Sequence, residues 1–130
     1  MRLIADADLS EPAHAVFEDI RATRKTEYVN NFWRAMAHDP AQLKRTWEEA
    51  KGVMGAGALD PMVKELIYLA VSITNGCTYC IASHGAAARA KGMSEPQYLE
   101  MLAVIGLANK TNRLATAMQV PVDPMFRPEE

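Results

Sequence analysis

Residues Glu65 to His84 read ELIYLAVSITNGCTYCIASH, and the fold class turns on whether the first half of this stretch is a strand or a helix. The run 66–74, LIYLAVSIT, is rich in Ile, Tyr, Val and Thr, so by composition it fits a buried strand leading straight into a helix. Two observations decide against that. No other stretch offers a partner strand, and the apolar run extends for about fifteen residues, from Asp60-Pro61 to Asn75-Gly76, longer than an ordinary strand. The sequence therefore predicts an all-α protein. A helix that is apolar nearly all round must be buried nearly all round, and so short a chain has few helices to cover it. Other copies of the chain are expected to complete the burial.

Downstream, Asn75-Gly76 is suited to end this helix in the left-handed conformation. Cys77 and Cys80 then fall in the first turn of a second helix running to about Lys91, and the two helices form a central hairpin. The position of the cysteines carries chemical meaning. The unpaired amides and positive dipole end of a helix N-terminus favour a thiolate over a thiol, and the thiolate is the form that attacks peroxides and disulfides. Cys77, Cys80 and His84 are spaced i, i+3, i+7, which at about 100° per residue places them within an arc of roughly 60° on one helix face. Further along come Ala87 and Ala88, in a run of small residues that lets another helix approach closely. Glu65 lies on the preceding helix, on the side shared with Leu69 and Ser72. Across a hairpin its carboxylate reaches the imidazole directly or through one water.

From these residues a mechanism can be written. His84, oriented by Glu65, takes the proton of Cys80; the thiolate attacks the O–O bond of a hydroperoxide and becomes a sulfenic acid, and Cys77 resolves it as a disulfide. Three other readings stand beside it. The cysteines could be two small buried side chains. Cys77, Cys80, His84 and Glu65 could supply four zinc ligands, although three ligands within two turns of one rigid helix close a tetrahedron poorly. The pair could also serve a general disulfide reductase or a non-enzymatic redox or zinc switch. A c-type haem needs His directly after Cys80, where Ile81 stands. Tyr79, between the cysteines, is a candidate relay residue. Tyr68, one turn beyond Glu65, either lines the pocket or packs in the core.

Outward from the hairpin, helix signals recur. Ser10-Glu11-Pro12 opens a helix carrying Ala13, Val16, Phe17 and Ile20. Val29, Phe32, Trp33 and Met36 form a short second stripe, and Asp39-Pro40 opens a third helix with Leu43, Trp47, Ala50 and Met54 on one side. Gly52, Gly55 and Gly57 fray its end. Ser94 with Gln97 makes a capping box for a long last helix with Tyr98, Met101, Leu102, Ile105, Ala108, Asn112 and Ala115 on one face. About six helices result. Residues 1 to 9 look extended and peripheral, and the tail VPVDPMFRPEE has no period and is expected over the surface or a neighbouring subunit. His14 and His38, near helix ends, read as surface or capping residues.

A length of 130 residues predicts one domain, 1–130, and apolar content of 49% supports a core. Fourteen basic against sixteen acidic residues, a formal charge of -2 and no basic block argue against nucleic acid. Asp6 and Asp8 interrupt the N-terminal region where a signal peptide has its apolar centre, and no apolar run approaches a membrane span. A cytoplasmic location is expected. In that reducing compartment, two cysteines three residues apart point to catalysis or metal binding rather than a structural staple.

The pattern Glu65, eleven residues, Cys77-Thr78-Tyr79-Cys80, three residues, His84 resembles the signature of the alkylhydroperoxidase D and carboxymuconolactone decarboxylase-like superfamily. The sharp likeness covers residues 60–92. The flanks NNFWRAMAHDP and NRLATAM are similar to those of a short branch described as peroxidase-related. The resemblance implies an all-helical fold assembled into trimers or hexamers. It also implies reduction of organic hydroperoxides without metal, haem or other cofactor, by Cys80, Cys77, His84 and Glu65, and a dithiol reductant from a lipoyl-bearing or thioredoxin-like partner. Characterised peroxidases of the superfamily carry a histidine immediately before the second cysteine, where this chain has Tyr79, a poor base near neutral pH. The decarboxylase branch lacks the cysteine pair, which makes a lyase reaction the weaker expectation.

Overall fold

The computed structural model describes residues 1–127, and all regular structure among them is helical. Six α-helices follow in order: α1 (Glu11–Arg24), α2 (Asn31–Met36), α3 (Pro40–Met54), α4 (Pro61–Asn75), α5 (Thr78–Ala90) and α6 (Glu95–Ala117). Single 3-10 turns occupy Asp6–Asp8 and Pro124–Phe126. The expected starts are met by side-chain caps. Ser10 accepts from the Ala13 amide, Asp39 from Gln42 and Asp60 from Met62, each with proline in the first turn. Ser94 and Gln97 form the reciprocal capping box. The 66–74 run is helix throughout. No helix among the described residues is long and apolar enough to cross a membrane.

The chain divides into two compact units, residues 1–57 and 58–130. The first packs α1, α2 and α3 around Phe17, Ile20, Val29 and Leu43, all fully buried. Trp33 and Trp47 meet edge to face at 5.4 Å. The Trp47 indole N–H donates to Asp19 Oδ2 at 2.6 Å, and Lys51 Nζ reaches the same oxygen at 2.5 Å. Lys51 first, then Trp47, holds the Asp19 carboxyl below its ordinary range.

Residues 1–9 are tied to the helices of this unit by side-chain contacts that their sequence does not announce. Asp6 bridges two helices of this unit, pairing with the Arg21 guanidinium of α1 and with Arg34 Nη1 of α2 at 2.6 Å. The Arg2 carbonyl accepts a hydrogen bond from His38 Nε2 at 2.6 Å, and Ile4 packs against the core. The stretch is peripheral, as expected, but long-range ion pairs leave no periodic trace in sequence, so these tethers were not foreseen.

In the second unit, α4 packs on α5 and α6 around Leu69, Ala88, Met93, Met101 and Ile105. The buried positions of α4 are Glu65, Leu69 and Ser72, which the sequence groups on one side, so burial nearly all round is not reached within one chain. Its other side stays open, with Ile67 50% and Val71 55% exposed. On α6 only Met101 and Ile105 are buried, while Ala108, Asn112 and Ala115 of the expected face lie exposed. A groove of about 500 Å³ between α4 and α6 is lined by apolar residues such as Met62, Leu66 and Ile105.

The Asp6 latch makes a pH prediction. The Arg34 and then the Arg21 hydrogen bond hold its carboxyl below the ordinary 3.8. The folded chain therefore binds this proton less readily than the unfolded chain does. The stabilisation is complete above about pH 4 and is lost as the pH falls through the lower, folded value. Asp6→Asn should lower the urea midpoint followed by helical circular dichroism at pH 7, and the gap from wild type should narrow steadily below pH 4.

Candidate functional site

The site begins at the turn between α4 and α5. Gly76 adopts φ 70°, the Gly76 amide donates to the Ile73 carbonyl at 3.2 Å, and the Cys77 amide donates to the Ser72 carbonyl at 2.9 Å. These 5→2 and 6→1 bonds are a Schellman motif, which stops α4 and reverses the chain in two residues. The Ser72 hydroxyl, itself buried, donates to the Tyr68 carbonyl at 2.7 Å. Cys77 thus becomes the N-cap of α5, and its sulfur accepts from the Cys80 amide at 3.3 Å. Both cysteines are half-buried, their Cα atoms are 5.3 Å apart, and they are joined as a disulfide. That separation is ordinary for a disulfide.

One turn past Cys80, His84 turns toward α4. Its Nδ1 lies 2.7 Å from Glu65 Oε2, so the direct contact expected across the hairpin is made without a bridging water. Glu65 is 5% exposed, and the small buried residues Gly85 and Ala88 of α5 face the same packed region that holds Leu69. A carboxylate so placed is costly unless each oxygen finds a partner. The second oxygen, Oε1, accepts from Lys91 Nζ at 3.1 Å. Lys91 was not among the residues singled out by sequence. A lysine in the last turn of a helix reads as a complement to the helix dipole, and nothing in its spacing marks a partner 26 residues upstream.

Tyr68 stacks on the His84 ring, with centroids 3.6 Å apart and planes inclined by 19°. Of its two expected placements, pocket wall and core, it takes neither fully: it lies beside the imidazole and is 42% exposed. Tyr79 is also exposed, on the first turn of α5. The structure therefore places Glu65 and Tyr68 against the His84 imidazole and Lys91 on the other oxygen of Glu65, with the cysteine pair at the N-terminal end of the same helix. His14 lies on the surface 4.0 Å from Glu18, and His38 serves the N-terminal strap. Among the described residues no three His, Cys, Asp or Glu side chains converge as a metal cage. The groove between α4 and α6 includes none of the site residues.

The arrangement puts a disulfide-bonded cysteine pair at a helix N-terminus together with a histidine whose ring is held on one side by a carboxylate. An Nδ1–H directed to Glu65 would leave Nε2 as the bare ring nitrogen.

Comparison with known proteins places these features in context. Residues 40–123 match the model of the carboxymuconolactone decarboxylase family. Over 66 residues the chain is 42% identical to an alkyl hydroperoxide reductase AhpD of Solibacter usitatus (strain Ellin6076), a stretch covering 51% of this chain. It spans only 36% of the length of that relative. A crystal structure described as an alkylhydroperoxidase AhpD core from Rhodospirillum rubrum ATCC 11170 superposes with a TM-score of 0.94 at 59% identity, covering 99% of this chain and 97% of the other.

The turn that launches α5 can be tested alone. A Cβ at Gly76 meets nothing within 4 Å, so Gly76→Ala introduces backbone strain without a clash. It should cost about 1 kcal/mol in urea unfolding, whereas Gly52→Ala, with equal space and within α3, should be neutral or stabilising.

Proposed function

The chain belongs to the carboxymuconolactone decarboxylase family, and from that footing we propose that it is a thiol-dependent peroxidase of the alkyl hydroperoxide reductase kind. The observation that carries the reading is the 2.7 Å contact between His84 Nδ1 and buried Glu65, one helical turn from Cys80. It leaves Nε2 on the helix that bears the cysteines, as a base for the thiol. The likeness to the AhpD proteins supports the same chemistry.

In the reduced protein, His84 accepts the Cys80 proton. The thiolate attacks the terminal oxygen of a hydroperoxide ROOH, the O–O bond breaks, and the departing alkoxide takes the proton back from the imidazolium as ROH. Cys80 is then a sulfenic acid. The Cys77 thiol attacks its sulfur, water leaves, and the disulfide forms. A dithiol, delivered by a lipoyl-bearing or thioredoxin-like protein, reduces that disulfide through a mixed intermediate and carries away the two oxidising equivalents. Tyr68 covers one face of the imidazole, and Tyr79, between the two cysteines in sequence, serves as a relay for the proton. The apolar residues left exposed on α4 and α6, Ile67, Val71, Val104 and Leu107 among them, favour a homo-oligomer such as a trimer or hexamer. General disulfide reduction is the second reading, favoured by a half-buried pair with a phenol between the cysteines in place of an imidazole.

The deciding experiment is a free-thiol titration of the reduced protein before and after one equivalent of cumene hydroperoxide. Wild type should lose both thiols rapidly and Cys80→Ser should keep its one remaining thiol, while Cys77→Ser should form one sulfenic acid per chain and stop. His84→Ala should slow the reaction by about a hundredfold near neutral pH, within the roughly 10²- to 10⁴-fold range of a positioned base. Thiols that react no faster than free cysteine, but exchange readily with a small disulfide, would replace the peroxidase by the disulfide reductase.

A further inference from the structure

We infer that Lys91 is a positioning residue of this site: through Glu65 it fixes which nitrogen of His84 is free to accept a proton. The inference takes the value of that nitrogen from the peroxidase reading, but its geometry is independent of the substrate. Glu65 has two oxygens and two partners, His84 on Oε2 at 2.7 Å and Lys91 Nζ on Oε1 at 3.1 Å. The carboxylate side chain is 7% exposed, so water has little access to replace either one. Lys91 itself has 40% of its side chain exposed. A cation with that much access to solvent could point outward, as lysines at helix ends ordinarily do. This one turns back to a buried acceptor on another helix.

The backbone holds Lys91 in place for that purpose. It is the residue at which α5 ends, with its amide donating to the carbonyls of Ala87 and Ala88, both at 3.1 Å. Gly92 follows at φ 98°, donating to the Arg89 carbonyl at 2.9 Å, and the Met93 amide donates to the Ala88 carbonyl at 3.0 Å. This is a second Schellman motif. Its hydrophobic contact is made by Met93 and Ala88, which share the buried cluster with Leu69. Thus α5 carries the cysteine pair at one end and, at the other, a lysine anchored by its own turn. The other cation of this last turn, Arg89, is engaged elsewhere, its guanidinium over the Tyr98 ring.

Removing the ammonium leaves Oε1 as a buried acceptor with no donor. Neutralising the carboxylate lowers the cost of that unpaired burial, and the proton can sit on Oε2, the oxygen that faces His84. A protonated Glu65 becomes a donor toward Nδ1, and the imidazole proton moves to Nε2, the nitrogen that must be bare to receive the Cys80 proton. Lys91 prevents this by committing both oxygens of Glu65 to accepting.

The test reads the ring nitrogens of His84 by 15N NMR in the disulfide form, where no thiol titrates, with His84→Gln used for assignment. Wild type should show a protonated Nδ1 and a bare Nε2 at neutral pH. Lys91→Met, which keeps the apolar stem, should show a mixture of both tautomers, and Lys91→Arg should restore the wild-type pattern. Lys91→Leu, which likewise has no donor, takes the place of Lys91→Met if that variant does not fold, with the same mixture expected. In the reduced protein Lys91→Met should react with cumene hydroperoxide about tenfold more slowly, a part of the roughly 10²-fold or greater contribution of the base, and Lys91→Arg should recover most of the rate. An unchanged Nδ1–H tautomer in Lys91→Met overturns the inference. If wild type itself does not consume the hydroperoxide, the peroxidase reading fails while the tautomer pattern still decides the role of Lys91.

Discussion

Burial of Glu65 is the constraint around which the second unit is built. A carboxylate enclosed between two helices is tolerable only when both oxygens are satisfied, and in this chain both partners come from α5, one a turn beyond the cysteines and one at the helix end. The two contacts define the register of α5 against α4. Slipping α5 by one residue would turn His84 and Lys91 about 100° away and leave the carboxylate alone. Apolar packing by Leu69, Ala88 and Met93 supplies attraction without much direction; the polar triad selects one arrangement from those the apolar faces allow.

Local rules that act within a few residues were readable from the sequence. Serine and aspartate caps followed by proline, the Ser94–Gln97 box and the Asn75-Gly76 stop mark helix ends because each satisfies backbone groups two to five positions away. The inward side of α4 was likewise legible, since Glu65, Leu69 and Ser72 recur at helical spacing. What escaped were pairings between residues remote in the chain. Asp6 finds Arg21 and Arg34, and Glu65 finds Lys91, through packing that no window of sequence contains. The far half of α6 escaped for another reason. Its apolar residues repeat as a buried face would, yet nothing within the described residues covers them, and periodicity alone does not say what a face is buried against.

The site was legible to the degree that chemistry forced residue types into a pattern. Two cysteines three apart and a histidine four further on can be read off a helix wheel, and a carboxylate on the preceding helix can be matched to them once the hairpin is assumed. The stacking of Tyr68 on the imidazole needed coordinates, because an aromatic at a helical position is as well suited to a core as to a pocket.

Both tryptophans of the chain, Trp33 and Trp47, lie in the core of residues 1–57, and residues 58–130 contain none. Intrinsic fluorescence excited at the red edge of indole absorption therefore originates in the unit built from α1, α2 and α3. The second unit has its own chromophores in Tyr68, Tyr79 and Tyr98. A melting curve taken from indole emission follows the burial of Trp33 and Trp47 in the N-terminal helices, whereas tyrosine emission samples the unit that carries the cysteine pair.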